Sequence, residues 1–406
     1  MWTEGKAEGG GSRTGVVHKL LLCTGDMLHL DTLVQDQWWL VQLLLWSLRG
    51  VSRVILVNNP LSGALILAAL VWASPWQALL GAVGVLVSTL TAVITGQDRG
   101  QVRGGLHGFN GMLVSLLIGH FSAEEEWYWL LLLPVCVCSA TSELLASSLS
   151  SVLDRWDLPV SVFPFNMIIL LFLLCTGPQH LYFPRVSVLP PGLLPPGLLP
   201  PGLLPPGAAE ANITELSIIQ VLRGVPVGVG QIYACSSLGP SLLMLGAVLL
   251  YSPLLAAHAL LGSAIGTLAG LSMAVRPSCL YSGLSGFNGA LGCMAVGGLF
   301  FTFSWRTHLF SIASAFFSAY MDIALSNLLG TMGLPACSWA ATIVTTLMML
   351  MTGTLNTYRI PIGQVGSPEL NLRSHSQWEA SKPEPDLRSH SQWEASIPTD
   401  RESTDV

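Results

Sequence analysis

The chain has 406 residues, of which 51% are apolar and only 10% charged, against about 25% charged in soluble domains. Lysine and arginine number 17, aspartate and glutamate 23, giving a formal charge of −6, and the mean hydropathy is +0.60. So few charges cannot clothe a soluble fold of this length, which excludes a cytosolic enzyme, a nucleic-acid binder and a disordered scaffold; no basic run supplies a phosphate footprint. An all-α polytopic membrane protein is expected, with the lipid bilayer as its surroundings and no nucleic-acid partner.

In chain order, residues 1–32 are predicted to be a cytosolic N-terminal segment. Met1–Gly15 is polar and Gly-rich, with no apolar core of a cleavable signal. Residues 33–176 are read as a first transmembrane repeat, with apolar runs near 33–49, 60–73, 76–95, 105–121, 127–149 and 158–176. Several approach the roughly 20 residues a spanning helix needs. The glycine-broken stretch Gly104–Gly111 suggests a half-helix that enters the membrane without crossing it, tolerable only where protein or water satisfies the freed backbone groups.

Residues 177–215 form a break in which Pro-Pro-Gly-Leu-Leu recurs, too Pro-rich for a helix. Asn212-Ile213-Thr214 is a glycosylation sequon, which would make this loop extracellular. The eight cysteines sit mostly in apolar runs, without a CxxC pair or any metal-ligand spacing, and read as small buried hydrophobes. No metal and no cofactor is expected.

Residues 216–354 are read as a second transmembrane repeat. Gly105-Leu106-His107-Gly108-Phe109-Asn110-Gly111 answers Gly283-Leu284-Ser285-Gly286-Phe287-Asn288-Gly289 at an offset of 178 (283 − 105). Leu158-Pro159 answers Leu334-Pro335 at 176 (334 − 158), and Arg49-Gly50-Val51 is paired with Arg223-Gly224-Val225 at 174 (223 − 49). Ordered matches near one offset indicate duplication. Five full spans plus one re-entrant half-helix in each copy would turn the second copy over, giving inverted repeats with both chain ends cytoplasmic. Residues 355–406 are a polar cytosolic tail, in which Leu372–Ser381 recurs letter for letter at Leu387–Ser396. This tail is expected to be a disordered extension, and Trp378 and Trp393 within the copies could serve a partner.

Several ordered motifs carry a family resemblance. Asn58-Asn59-Pro60-Leu61-Ser62-Gly63, Gln97-Asp98-Arg99, the paired Gly-Phe-Asn motifs, Trp156-Asp157-Leu158-Pro159-Val160, Phe163-Pro164-Phe165-Asn166, Pro226 to Tyr233 and Thr307-His308-Leu309 resemble the vertebrate urea transporter family over about 33–362. The resemblance implies two inverted five-helix repeats around a pore in each protomer, a homotrimer, the plasma membrane, and passive channel-like passage of urea. Urea is planar and neutral, with four N–H donors and one carbonyl. Stripping its water costs several kcal/mol per unpaired polar group, so a path needs a flat apolar gap flanked by oxygen acceptors. The last carbonyls of broken helices can supply such acceptors.

By resemblance, the gap is formed by Phe109 with Leu113 and by Phe287 with Leu291, pairs at helical i, i+4 spacing. Asn110 and Asn288 are expected to tie backbone at the half-helix starts. The family's glutamine is kept at Gln231 but is Arg53 in the first repeat. The hydroxyl that follows each Leu-Pro is kept at Ser338 but replaced by Val162. Glu143, His258, His308 and Asp322 are ionisable groups within apolar runs, functional candidates by position; they look scattered, without a dyad, and Glu143 is assigned a basic partner across the bundle, such as Arg53. The altered first-repeat positions leave two alternatives open: a channel for other small neutral solutes (water, ammonia, amides), or a non-conducting paralogue that assembles with functional subunits. No Ser–His, Asp-pair or metal constellation supports an enzyme.

Overall fold

The computed structural model describes residues 23–122, 128–176, 216–351, 353 and 358–380. The Pro-rich loop with Asn212, and the second tail copy, lie outside them. Among the described residues the fold is helical, with one isolated antiparallel bridge between Phe301 and Arg359. A short α1 (Leu28–Val34) leads into α2 (Trp39–Arg53), α3 (Pro60–Ala73), α4 (Pro75–Ile94), α5 (Arg99–Arg103), α6 (Phe109–Phe121), α7 (Leu132–Leu153) and α8 (Phe163–Thr176). The second half comprises α9 (Ile218–Gly230), α10 (Leu238–Tyr251), α11 (Pro253–Ser272), α12 (Pro277–Tyr281), α13 (Phe287–Met294), α14 (Trp305–Gly330) and α15 (Trp339–Met349). It repeats the order of the first, down to equal lengths of 14 residues in α3 and α10, 20 in α4 and α11, and five in α5 and α12.

Local chemistry sets these boundaries. Ser74-Pro75 and Ser252-Pro253 each combine a hydroxyl that caps the third helical N–H with a proline at the first turn. Asn59 before Pro60 accepts from Leu61 N and Ser62 N. Among the described residues, four continuous stretches are long and apolar enough to cross a bilayer, Pro75–Ile94, Trp129–Trp156, Pro253–Ser272 and Trp305–Gly330, and the bent pair Ile218–Tyr233 with Leu238–Tyr251 is so when taken together. The outward faces are apolar as well, with Ile94 74%, Leu133 71% and Ile219 80% exposed, as suits a chain surrounded by lipid. Inward, small residues let helices touch. A Cβ on Gly84 would fall 2.4 Å from the Gly111 carbonyl oxygen, and one on Gly262 would fall 2.4 Å from that of Gly289.

Two sequence expectations are corrected by the packing. Ile218–Tyr233 and Leu238–Tyr251 meet at a 75° bend. The glycine motifs let loop backbone press on α2 and α9. Gly105 (φ +71°) and Gly283 (φ +78°) have no room for a Cβ, which would meet Gly50 N at 2.5 Å and Gly228 N at 2.4 Å. Gly50 therefore corresponds to Gly228 and Arg49 to Val227, at the offset of 178; the pairing of Arg49 with Arg223 was one helical turn out of register.

The tail is the second. Residues 358–380 dock on the bundle and include α16 (Pro368–Ala380). Arg359 donates to the backbone oxygens of Met349, Trp156 and Asp157. Glu369 Oε1 accepts from Ser252 Oγ at 2.8 Å, and Asn371 Nδ2 donates to Gly298 O at 3.1 Å. Asp26 joins this strap to the N-terminal segment, accepting from Ser367 N at 3.0 Å and from Tyr251 Oη at 3.1 Å.

Candidate functional site

Two helix breaks in each half organise the centre of the molecule. At the first, α2 ends at Arg53 and the chain reverses through Leu56, whose φ is +62°. Its counterpart is the turn after Gln231–Tyr233, which reverses through Ala234 at φ +56°. Arg53 Nε donates to Gly104 O at 2.9 Å, and Gln231 Nε2 donates to Ser282 O at 2.7 Å. Both bonds span 51 residues and join corresponding positions. Arg53 thus takes over the backbone bond of the family's glutamine, while its Nη groups and its charge are additional. The two breaks also touch: Tyr233 Oη, fully buried, donates to Val51 O at 2.7 Å.

The second break precedes α8 and α15. It runs through Ser161 (φ +51°) and Cys337 (φ +46°), directly before Val162 and Ser338. Left-handed backbone at four non-glycine residues is costly and persists only where surroundings over-determine it. At Ser161 and Cys337, Asn110 and Asn288 supply that determination. Asn110 Nδ2 donates to Ser161 O at 3.2 Å while its Oδ1 accepts from Phe165 N at 3.2 Å. Asn288 Nδ2 donates to Cys337 O at 3.0 Å while its Oδ1 accepts from Ala341 N at 3.1 Å. The expected backbone tie is present but lands elsewhere: their own helices start at Gly108 and Gly286 without a side-chain cap, and the asparagines hold the first turns of the helices opposite. Asn166 crosses between the halves, its Oδ1 accepting from Ser338 N at 3.1 Å.

Phe109, Leu113, Val162, Phe287 and Leu291 share one apolar cluster with Leu56, Ala234 and Cys337. Phe109, Val162, Phe287 and Leu291 are half-buried, whereas Leu113 and Ser338 are buried. Phe109, Leu113, Val162, Phe287 and Leu291 thus belong to the main apolar core, while Arg53 and Gln231 hold corresponding loop carbonyls.

The ionisable residues differ from expectation. Glu143 pairs with His107, Oε1 to Nδ1 at 2.7 Å, and not with Arg53. His308 Nδ1 lies 3.3 Å from His258 Nε2, and Asp322 Oδ1 accepts from Asn288 Nδ2 at 2.9 Å. Contacts between neighbouring helices made pairs of residues that sequence separation had scattered. Arg49 was overlooked as well. It is 1% exposed, donates to Asn58 Oδ1 at 3.2 Å, and forms a 3.1 Å ion pair with Asp31. Burial pushes the Asp31 carboxyl up from the ordinary carboxylate range, and the Arg49 guanidinium offsets part of that rise. The signal available for Arg49 was an arginine inside an apolar helix, which must find an acceptor.

The family model described as "Urea transporter" matches residues 44–353. Urea transporter 1 of Rattus norvegicus is 42% identical over 351 residues, covering 86% of this chain and 87% of the relative. Urea transporter 1 of Mus musculus and of Capra hircus are 41% and 40% identical over the same shares. With a family match over most of its length and relatives this similar, the chain belongs to the urea transporter family.

Proposed function

We propose that the protein conducts urea passively across the plasma membrane, through a slot between its two halves. Family membership supports urea transport across a membrane by a transport protein that is not an enzyme. The observation that carries the slot is the pairwise equivalence of the breaks: Arg53 and Gln231 hold corresponding loop carbonyls, and the half-buried Phe109 and Phe287 follow those loops. In this reading Phe109, Leu113, Phe287 and Leu291 form flat apolar walls, and Gln231, Ser338 and broken-helix carbonyls meet the urea N–H groups. Val162 removes one such acceptor in the first half. Arg53 offers donors to the urea oxygen and repels cations.

The same reading makes the halves inverted repeats of five spans and one re-entrant helix. Asn212 is then extracellular and glycosylated, both termini are cytoplasmic, and three copies assemble as a homotrimer. Urea flux into vesicles that hold only the purified protein tests conduction. Flux should follow the urea gradient and ignore imposed Na⁺ or H⁺ gradients. Flux no faster than in empty vesicles would overturn conduction, and urea accumulated above the bath concentration would overturn passivity.

A further inference from the structure

Each half sends one buried carboxylate from its long penultimate helix to the Gly-Phe-Asn motif. In the first half this is Glu143 of α7, 1% exposed, 2.7 Å from His107 Nδ1, two residues before Phe109. In the second it is Asp322 of α14, 8% exposed, accepting at 2.9 Å from Asn288 Nδ2, the residue after Phe287. The two acids stand 179 residues apart (322 − 143), one residue from the offset of the Gly-Phe-Asn motifs and three from that of the Leu-Pro motifs that follow these helices. They come from corresponding helices, not from matched positions on them, and grip different residues of corresponding motifs. A carboxylate without partners is expensive at this depth, and each of these has the motif as its partner.

The geometry assigns Glu143 and Asp322 as positioning residues that fix where Phe109 and Phe287 stand and so set the width of the slot; this rests on the conducting reading above. The first-half loop has three tethers. Arg53 holds the Gly104 carbonyl, Ser88 Oγ donates to His107 O at 2.6 Å, and Glu143 holds the His107 ring. The glycines between them provide no side-chain anchor, so losing the Glu143 tether leaves the residues directly before Phe109 held by the Ser88 bond to the His107 backbone, with the ring free to move. In the second half, Asn288 also holds Cys337 O and Ala341 N. Asp322 therefore orients one amide that serves both Phe287 and the turn before Ser338. Neither acid needs to touch urea.

The experiment compares urea with the bulkier N-methylurea in vesicles, for the parent and for Glu143→Ala, Glu143→Gln, Asp322→Ala and Asp322→Asn. Gln and Asn keep an oxygen that can accept the same hydrogen bond and lose the charge. Passage through a slot is set by its width, so the N-methylurea-to-urea ratio should rise about threefold or more in both alanine variants. It should return close to the parent value in the Gln and Asn variants. Should Glu143→Ala not reach the membrane, His107→Ser with Glu143→Ala removes both members of the pair and reads the same ratio. A parent that carries no urea overturns the conducting reading itself. A conducting parent whose alanine variants keep its ratio, or whose Gln and Asn variants shift as far as the alanines, overturns the positioning role alone.

Discussion

Arg53 and Gly104 are joined by a 2.9 Å hydrogen bond from Nε to the backbone oxygen, the counterpart of the bond from Gln231 to Ser282. A guanidinium therefore occupies an amide's place without breaking the local backbone arrangement. On the conducting reading proposed above, the arginine's cost falls on passage.

Replacing Arg53 with glutamine, together with Val162→Thr, keeps a donor for the Gly104 carbonyl, removes the charge and restores a hydroxyl. Urea flux at matched surface expression should rise by roughly 2–10-fold, equivalent to about 0.4–1.4 kcal/mol of barrier. Stopped-flow light scattering on vesicles measures it. Equal flux in parent and double variant would mean that these two positions do not limit passage.

Asn110→Ala and Asn288→Ala each remove two hydrogen bonds to the backbone of a break, Ser161 O with Phe165 N and Cys337 O with Ala341 N. Buried groups left unsatisfied cost about 1–3 kcal/mol each. Both variants should unfold at lower temperature in detergent. Asn288→Ala should be affected more, because it also strands Asp322.

Gly105→Ala and Gly283→Ala test the close approach of loop to helix. Each needs a left-handed alanine, at about 1–2 kcal/mol, and each adds a Cβ within 2.5 Å of backbone nitrogen, at Gly50 or Gly228. Neither contact can relax by a side-chain rotation. Low yield of folded protein is expected for both. Gly246→Ala, where a Cβ meets nothing within 4 Å, is the matched control and should express as the parent does.

Asp26→Ala should loosen both chain ends together, since that one carboxylate accepts from Ser367 N of the strap and from Tyr251 Oη. Faster amide exchange is expected in residues 23–31 and 366–371, with little change in α4 or α11. Faster exchange in the N-terminal segment alone would show that Glu369 and Asn371 hold the strap without it.

Much was decided by sequence alone. Scarcity of charge determines a membrane protein, because a lipid-facing surface tolerates so few ionisable groups. The duplicated Gly-Phe-Asn and Leu-Pro motifs disclosed two corresponding halves, and the ordered motifs pointed to the family that the comparisons established. These are local properties, carried by composition and by short strings of letters. Tertiary structure decided what depends on contact between helices. It moved the match of Gly50 by one turn, to Gly228, because the loop glycines Gly105 and Gly283 press on those two residues. It gave Glu143 the partner His107, because α7 packs against the loop before Phe109. It turned Asn110 and Asn288 toward the starts of α8 and α15, and it docked a polar tail that read as disordered. A hydrogen bond is fixed to within a few tenths of an ångström by the approach of two elements, and the spacing of residues along one chain does not contain that approach.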